Sequence, residues 1–225
     1  MCPERTDLVV EIGPGKGALT DHLLERAERV IAIEIDPVLV QYLHVKYRDQ
    51  SRLEVIGADI LKTDIQTWGR ASVAGNLPYY ITTPIIEKVL ALRGDLVRAV
   101  FLVQKEVAER IATGPGSRDY GYLSVATQFY ATTRLLVTVP PSAFRPPPKV
   151  ESAVIELIPR ETLSAVDPNG FLKFVGRCFQ YKRKTIRNNL LSYYGKDKLQ
   201  ARPEAGRRAE QMSMDEFLDL YQKLG

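Results

Sequence analysis

Through the first hundred or so residues, short apolar runs alternate with stretches whose apolar positions recur at helical spacing. The runs at 8–12, 29–35, 53–56, 72–75 and 97–103 are rich in Val and Ile. They lack the strict apolar–polar alternation of a half-exposed strand, which predicts strands buried on both faces. Between them, 18–27, 37–47 and 84–92 predict helices. The latter two open on Pro37 and Pro84, where the fixed φ of the ring suits a first helical turn. Such alternation predicts an α/β fold, with a parallel sheet and right-handed crossovers.

The pattern then changes. Residues 134–139 and 152–158 are β-like runs joined by a connector holding five prolines, Pro140, Pro141, Pro146, Pro147 and Pro148. With no helix between them, an antiparallel pair at one end of the sheet is the simplest arrangement. The prolines stiffen the connector and keep it out of a ladder. After residue 159 the spacing becomes helical: 171–194 predicts one long helix, and Ser213-Met214-Asp215-Glu216 is a capping-box signature. The expected organisation is a sheet domain over 1–159 and a small helical domain over 160–225.

Bulk properties narrow the function classes. The 225 residues are 45% hydrophobic and 26% charged, ordinary for a globular protein. No apolar run approaches the about 20 residues needed to span a bilayer. No signal peptide is evident at the start, and two cysteines, Cys2 and Cys178, make neither a disulfide framework nor a metal cluster. These features predict a cytoplasmic protein with no membrane partner and no metal site. The net charge is only +4, yet residues 171–208 carry eleven Lys or Arg against two acids, Asp197 and Glu204. Such a run is either a solvated basic face or a footprint for phosphates.

Candidate chemistry lies at the predicted strand ends. Glu11-Ile12-Gly13-Pro14-Gly15-Lys16-Gly17 follows one strand and precedes a helix, and its glycines suit a sharp turn that a nucleotide can approach closely. Gly13, Gly15 and Ala18 also satisfy the dinucleotide fingerprint. Glu34, ending the second strand, can accept bonds from both ribose hydroxyls of NAD or of S-adenosylmethionine, so these features alone leave both open. Asp59, ending the third strand, can accept from an adenine amino group, or can simply cap the next turn. Ile35 and Ile60 can sandwich the ring.

Asn76-Leu77-Pro78-Tyr79 follows the fourth strand. An adenine amino nitrogen is a poor nucleophile because its lone pair is delocalised into the ring. The Asn76 side-chain oxygen and the Leu77 carbonyl can each accept one of its N–H groups and draw it toward tetrahedral geometry. Pro78 fixes the turn, and Tyr79 can stack on the base. Phe144, in the stiff connector, either closes on the base from the opposite side or anchors the loop on the core. This constellation points to methyl transfer onto an adenine amine.

Glu11 through Thr20, Asn76-Leu77-Pro78-Tyr79, Gln104 through Arg110, Phe144 through Val154 and Arg183 through Leu190 together resemble the rRNA adenine N6,N6-dimethyltransferases, in the form acting on the small ribosomal subunit. The resemblance spans the chain from Leu8 onward. It implies a Rossmann-like class I methyltransferase sheet with an antiparallel end strand, S-adenosylmethionine as donor, and two adjacent adenines near the 3′ end of small-subunit rRNA as acceptors. It also implies a pre-30S-like particle as partner and a monomeric enzyme. Gly13, Glu34, Asp59 and Asn76 would contact the cofactor, with Glu11, Gly15, Gly17, Ile35 and Ile60 beside them. Asn76, Leu77, Pro78, Tyr79 and Phe144 would hold the adenine, and Lys149, Lys182, Arg183, Lys184 and Arg187 would contact RNA. The family pattern departs from this chain in a Gln-Asn-Phe-Leu segment ahead of the first strand and in a basic residue where Tyr122 stands. The missing segment leaves a catalytically weak or inactive ribosome-assembly factor of the same fold as the alternative.

Overall fold

The computed structural model describes residues 6–161 and 166–224, and Cys2 lies outside them. Strands β1 (Thr6–Ile12), β2 (Ala27–Glu34), β3 (Leu53–Gly57), β4 (Ala71–Asn76), β5 (Leu96–Gln104), β6 (Ala131–Val139) and β7 (Ser152–Pro159) form one sheet in the order β3-β2-β1-β4-β5-β7-β6. From β3 to β5 every neighbouring pair is parallel, and β7 alone runs antiparallel to both its neighbours. The reversed strand is therefore inserted beside the edge, and β6 forms the edge itself. Val10, Val30, Ile31, Ala99, Phe101 and Leu157 are fully buried, as expected for strands covered on both faces.

Helices α1 (Ala18–Arg26), α2 (Pro37–Lys46) and α3 (Thr82–Leu90) make the crossovers. Asp36 caps α2 through the Val38 N–H with Pro37 just inside, and this capped start leaves little ambiguity about where the helix begins. By contrast α3 opens at Thr82, two residues ahead of Pro84, because a short 3-10 turn over Tyr79–Ile81 leads into it. Beyond β1 the chain crosses to β2, whereas β4 lies on the other side of β1. The carboxyl ends of β1 and β4 thus form a topological switch point, where open α/β sheets bind ligands.

The chain forms two compact units. One takes the chain up to Ala108 together with Ala131–Pro159; the other takes Glu109–Tyr130 and the chain from Arg160 onward. The helical unit is therefore discontinuous, where the sequence predicted a single boundary near 160. The chain leaves the sheet unit within α4 (Lys105–Ala112) and returns after α5 (Tyr122–Tyr130). The reason is apolar: Tyr120, Val125 and Phe129 are buried in one cluster with Phe171, Phe174 and Phe217, the Phe129 and Phe171 rings lying 4.8 Å apart. Neither α4 nor α5 stood out as a helix in the sequence.

The predicted helix over 171–194 is two helices, α6 (Pro168–Cys178) and α7 (Ile186–Tyr194). Asn189 explains the break. Its side-chain amide donates to the Cys178 carbonyl at 2.7 Å and the Tyr181 carbonyl at 3.3 Å, while its oxygen accepts the Tyr181 N–H at 3.2 Å. A buried carboxamide thus satisfies backbone groups that a continuing helix would have used. Thr185 then caps α7 by accepting the Asn188 N–H. A short α8 (Lys196–Gln200) precedes α9 (Met214–Leu224), whose start carries the reciprocal Ser213–Glu216 box expected from sequence.

Asn189→Ala takes this partner from the buried Cys178 carbonyl and from the Tyr181 N–H, while the Tyr181 carbonyl keeps the Lys184 N–H, and should cost about 2 kcal/mol in the helical unit. Urea unfolding followed by circular dichroism checks this; a change within error would mean that the break is fixed by other contacts.

Candidate functional site

The glycine turn leaves β1 at Ile12 and enters α1 after Gly17. Gly13, Gly15 and Gly17 all have positive φ, at 68°, 60° and 83°, a conformation costly for any residue with a Cβ. At Gly17 space forbids one as well, since a Cβ there would collide with the Tyr47 phenol. That phenol lies 2.9 Å from the Gly17 carbonyl oxygen and 2.6 Å from Asp21 Oδ1. The Lys46 ammonium donates to Asp21 at 2.8 Å and to the Lys16 carbonyl at 3.2 Å, and this hydrogen bond holds the Asp21 carboxyl below its ordinary range. Asp21, Lys46 and Tyr47 so clamp the turn from α1 and α2. No local pattern signals this clamp, whose contacts join residues 25 to 30 apart.

Two buried glutamates sit under the turn. Glu34 accepts the Gly15 N–H with Oε2 at 3.1 Å and the Ile35 and Asp36 N–H groups with Oε1 at 2.9 and 3.0 Å. It is the acidic strand end the sequence pointed to, and it also braces the glycine turn through the Gly15 amide. Glu11, 1% exposed, accepts from the Thr20 hydroxyl at 2.6 Å. Burial pushes its carboxyl up to about 7; the Thr20 bond opposes this, the Asp21 and Glu34 charges add to it, and Lys46 again opposes it.

Asp59 uses Oδ1 to accept the Leu61 N–H at 2.9 Å, so it caps the following turn. Its Oδ2 lies 3.9 Å from the Lys62 ammonium. Ile35 is 68% exposed while Ile60 is 7% exposed; of the two expected flanks of a bound ring, Ile35 alone offers a broad open face.

Asn76 ends β4 one residue beyond the Ile12–Gly75 pair that joins β1 to β4. A Cβ on Gly13 would lie only 3.7 Å from the Asn76 carbonyl oxygen, so the glycine turn and the Asn76 turn meet. Asn76, Leu77, Pro78 and Tyr79 line a cavity of about 280 Å³ with Phe144, Pro146 and Pro148. The Leu77 side chain is buried, and its N–H donates to the Leu102 carbonyl at 3.0 Å. The Tyr79 and Ser152 hydroxyls are 2.9 Å apart. Phe144 is half-buried, and the connector places its ring and two of its prolines on the wall facing the Asn76 turn.

The basic candidates separate into kinds. Lys149, in the sheet unit, is exposed. In the helical unit Lys182, Arg183 and Lys184 are exposed in the link between α6 and α7, with the Lys182 ammonium donating to the Arg118 carbonyl at 2.6 Å. Arg187 differs: it is half-buried, with Nη2 at 3.5 Å from the Arg202 carbonyl. Tyr122, at the position where a basic residue was expected, packs on the helical core.

Chemically, the cavity offers a carboxamide and a peptide carbonyl at one end, two aromatic side chains, and proline walls. It adjoins a glycine turn with carboxylates beneath it. A flat amine and a ribose-bearing, cationic ligand fit these donor sets. The sequence model of the Ribosomal RNA adenine dimethylase family matches residues 2–224. The Ribosomal RNA small subunit methyltransferase A of Acidobacterium capsulatum is 43% identical over 228 residues, covering 96% of this chain and 81% of its own. The protein of the same name from Streptococcus pneumoniae is 41% identical, with 96% and 81% covered. Among solved structures, a dimethyladenosine transferase from Plasmodium falciparum has a TM-score of 0.84 at 28% identity, over 96% of this chain and 89% of that one. The 23S rRNA methyltransferase ErmE has a TM-score of 0.76 at 28% identity, over 99% and 93%.

The Glu11 carboxyl has a testable signature. Between its ordinary 4.5 and about 7 the folded protein holds a proton that the unfolded chain has released, so stability falls as pH rises through that window. Glu11→Gln should flatten this dependence. Thermal unfolding at about pH 5 and about pH 8 measures it, and an equal slope in the variant would contradict the assignment.

Proposed function

Because the chain belongs to the ribosomal RNA adenine dimethylase family and is an S-adenosylmethionine-dependent rRNA adenine dimethyltransferase, we propose that the Asn76 cavity receives the adenine and that the glycine turn holds the donor. The observation that carries this reading is the junction of Gly13 with Asn76 at the ends of neighbouring strands. We further propose two adjacent adenines near the 3′ end of small-subunit rRNA as acceptors, a pre-30S-like particle as partner, action as a monomer, and the cytoplasm as its place. Among the described residues no helix is long and apolar enough to cross a membrane.

On this reading Gly13, Gly15 and Gly17 let the backbone close on the donor, Glu34 takes the ribose hydroxyls, Asp59 and Ile35 receive its adenine, and Glu11 adds negative charge nearby as pH rises through about 7. Bound there, S-adenosylmethionine supplies an electrophilic methyl group on a sulfonium. The protein's own work lies at the acceptor. Asn76 Oδ1 and the Leu77 carbonyl each accept one N–H of the amine, which favours a tetrahedral nitrogen over the planar, conjugated one and directs its lone pair. Pro78, at φ −59°, sets the direction of the turn, and its carbonyl accepts from Ile81 N–H at 3.2 Å and the Thr82 hydroxyl at 3.1 Å. Tyr79 and Phe144 present aromatic faces to an adenine drawn out of its stack. The methylated nitrogen is cationic and acidic, so it loses its proton without a strong general base. After one transfer a single N–H remains, and one of the two acceptors suffices to orient it for the second.

Asn76→Ala should lower methyl incorporation into hypomethylated small subunits by at least about a hundredfold, by analogy with loss of an oriented polar group at a reacting centre, with RNA binding retained. Near wild-type turnover would contradict its role. Replacing Arg183 and Lys184 by Ala should reduce the steepness of log K against log salt by about 1–2, read by filter binding over a salt series. An unchanged slope would mean that these cations do not meet phosphates.

A further inference from the structure

Tyr79 stands in a short 3-10 turn and lines the cavity while only half-buried. Packing alone therefore leaves its ring incompletely held. Its hydroxyl lies 2.9 Å from Ser152 Oγ, across 73 positions of sequence. Ser152 is fully buried and opens β7, its Cα paired with Gln104 of β5 on one side and Val139 of β6 on the other. One residue earlier, the Glu151 carbonyl accepts the Lys105 N–H at 3.0 Å, and the Glu151 carboxylate accepts from the Lys105 ammonium at 2.7 Å. Ser152 is thus among the most firmly placed points bordering the site.

Ala153, Ile155 and Leu157 alternate with Ser152 and line the other face of β7. On its own face the Ser152 hydroxyl is buried, and a buried hydroxyl without a partner is costly. The partner is Tyr79. Fixing a tyrosine's Cα at one end and its oxygen at the other sets χ1 and with it the direction and position of the ring's long axis, while rotation about that axis is left to the packing around it. The connector that carries Phe144 runs into β7 at this same residue.

We propose that Ser152 is a positioning residue for the reaction: by holding the Tyr79 hydroxyl it keeps the ring's long axis directed across the cavity, in the place that receives the target adenine, and so aims the amine at the methyl donor. The inference rests on the functional reading above. It concerns alignment, so its loss should appear in turnover rather than in donor binding.

The test is a double-variant cycle on the full chain, using Ser152→Ala, Tyr79→Phe and both together, with hypomethylated small subunits and S-adenosylmethionine. Tyr79→Phe keeps the ring and its packing, so the cycle does not depend on the serine variant folding well. Each single variant should lower kcat about fivefold, the effect of one hydrogen bond. KM for S-adenosylmethionine should stay near wild type, and the double variant should be no slower than either single one. Tyr79→Phe should lower the thermal midpoint more than the double variant does, because it leaves the buried Ser152 hydroxyl unpaired. Unchanged kcat in Ser152→Ala, losses that multiply in the double variant, or a loss confined to KM or thermal stability would overturn the proposal. A wild-type protein that transfers no methyl group to the particles would instead defeat the functional reading, and this inference with it.

Discussion

The site depends on how closely two strands approach at their carboxyl ends. β1 and β4 pair in parallel through Ile12 and Gly75, and a Cβ on Gly75 would lie 2.5 Å from the Ile12 carbonyl oxygen. That distance is too short for any side chain, so the missing Cβ is what allows the pair to close. From this pair the chain leaves in two directions, as the turn beginning at Gly13 and as Asn76-Leu77-Pro78-Tyr79. One turn is suited to a nucleoside and the other to a flat amine. Their reactive ends meet because the pairing that precedes them leaves no room for anything else.

The two turns are held by different means. Around the glycine turn, charge does most of the work: Glu34 takes three backbone N–H groups, and Lys46 and Asp21 clamp the far side. Glu11, buried beside them, keeps a proton to about pH 7, so the negative potential offered to a cationic ligand depends on pH. Around the amine pocket the restraints are steric and neutral. A buried leucine, a proline and a tyrosine tied to a buried serine shape the cavity, and the acceptors within it are dipoles rather than full charges. A neutral amine can enter such a pocket without a large desolvation penalty, and the cation that forms there can leave it readily.

Much of the fold was legible in the sequence because parallel strands covered on both faces must be mainly apolar, and 8–12, 29–35 and 97–103 are, with only Glu11, Arg29, Glu34 and Arg98 as charged exceptions. The strand-end residues Glu34 and Asn76 were legible for a related reason: polar residues that terminate such runs have little choice but to face the crevice. Interactions across long separations were not. The Tyr47–Asp21 clamp, the Tyr79–Ser152 hydrogen bond and the break enforced by Asn189 join residues that no local pattern connects. The short α5 was missed because its apolar face is completed by α6 and α9, far along the chain, and this also hid the discontinuity of the helical unit. Arg187 read as one of a basic run, but its guanidinium lies against the Arg202 carbonyl, a distinction that charge counting cannot make.

The most direct test of the account is the chemical identity of the product. Hypomethylated small subunits are incubated with the protein and S-adenosylmethionine, the rRNA is digested to nucleosides, and these are resolved by mass spectrometry against standards. Two acceptors directed at an exocyclic amine predict N6,N6-dimethyladenosine, preceded by N6-methyladenosine at early times. Methyl groups found instead on a ring nitrogen or a ribose hydroxyl would contradict the pocket as described.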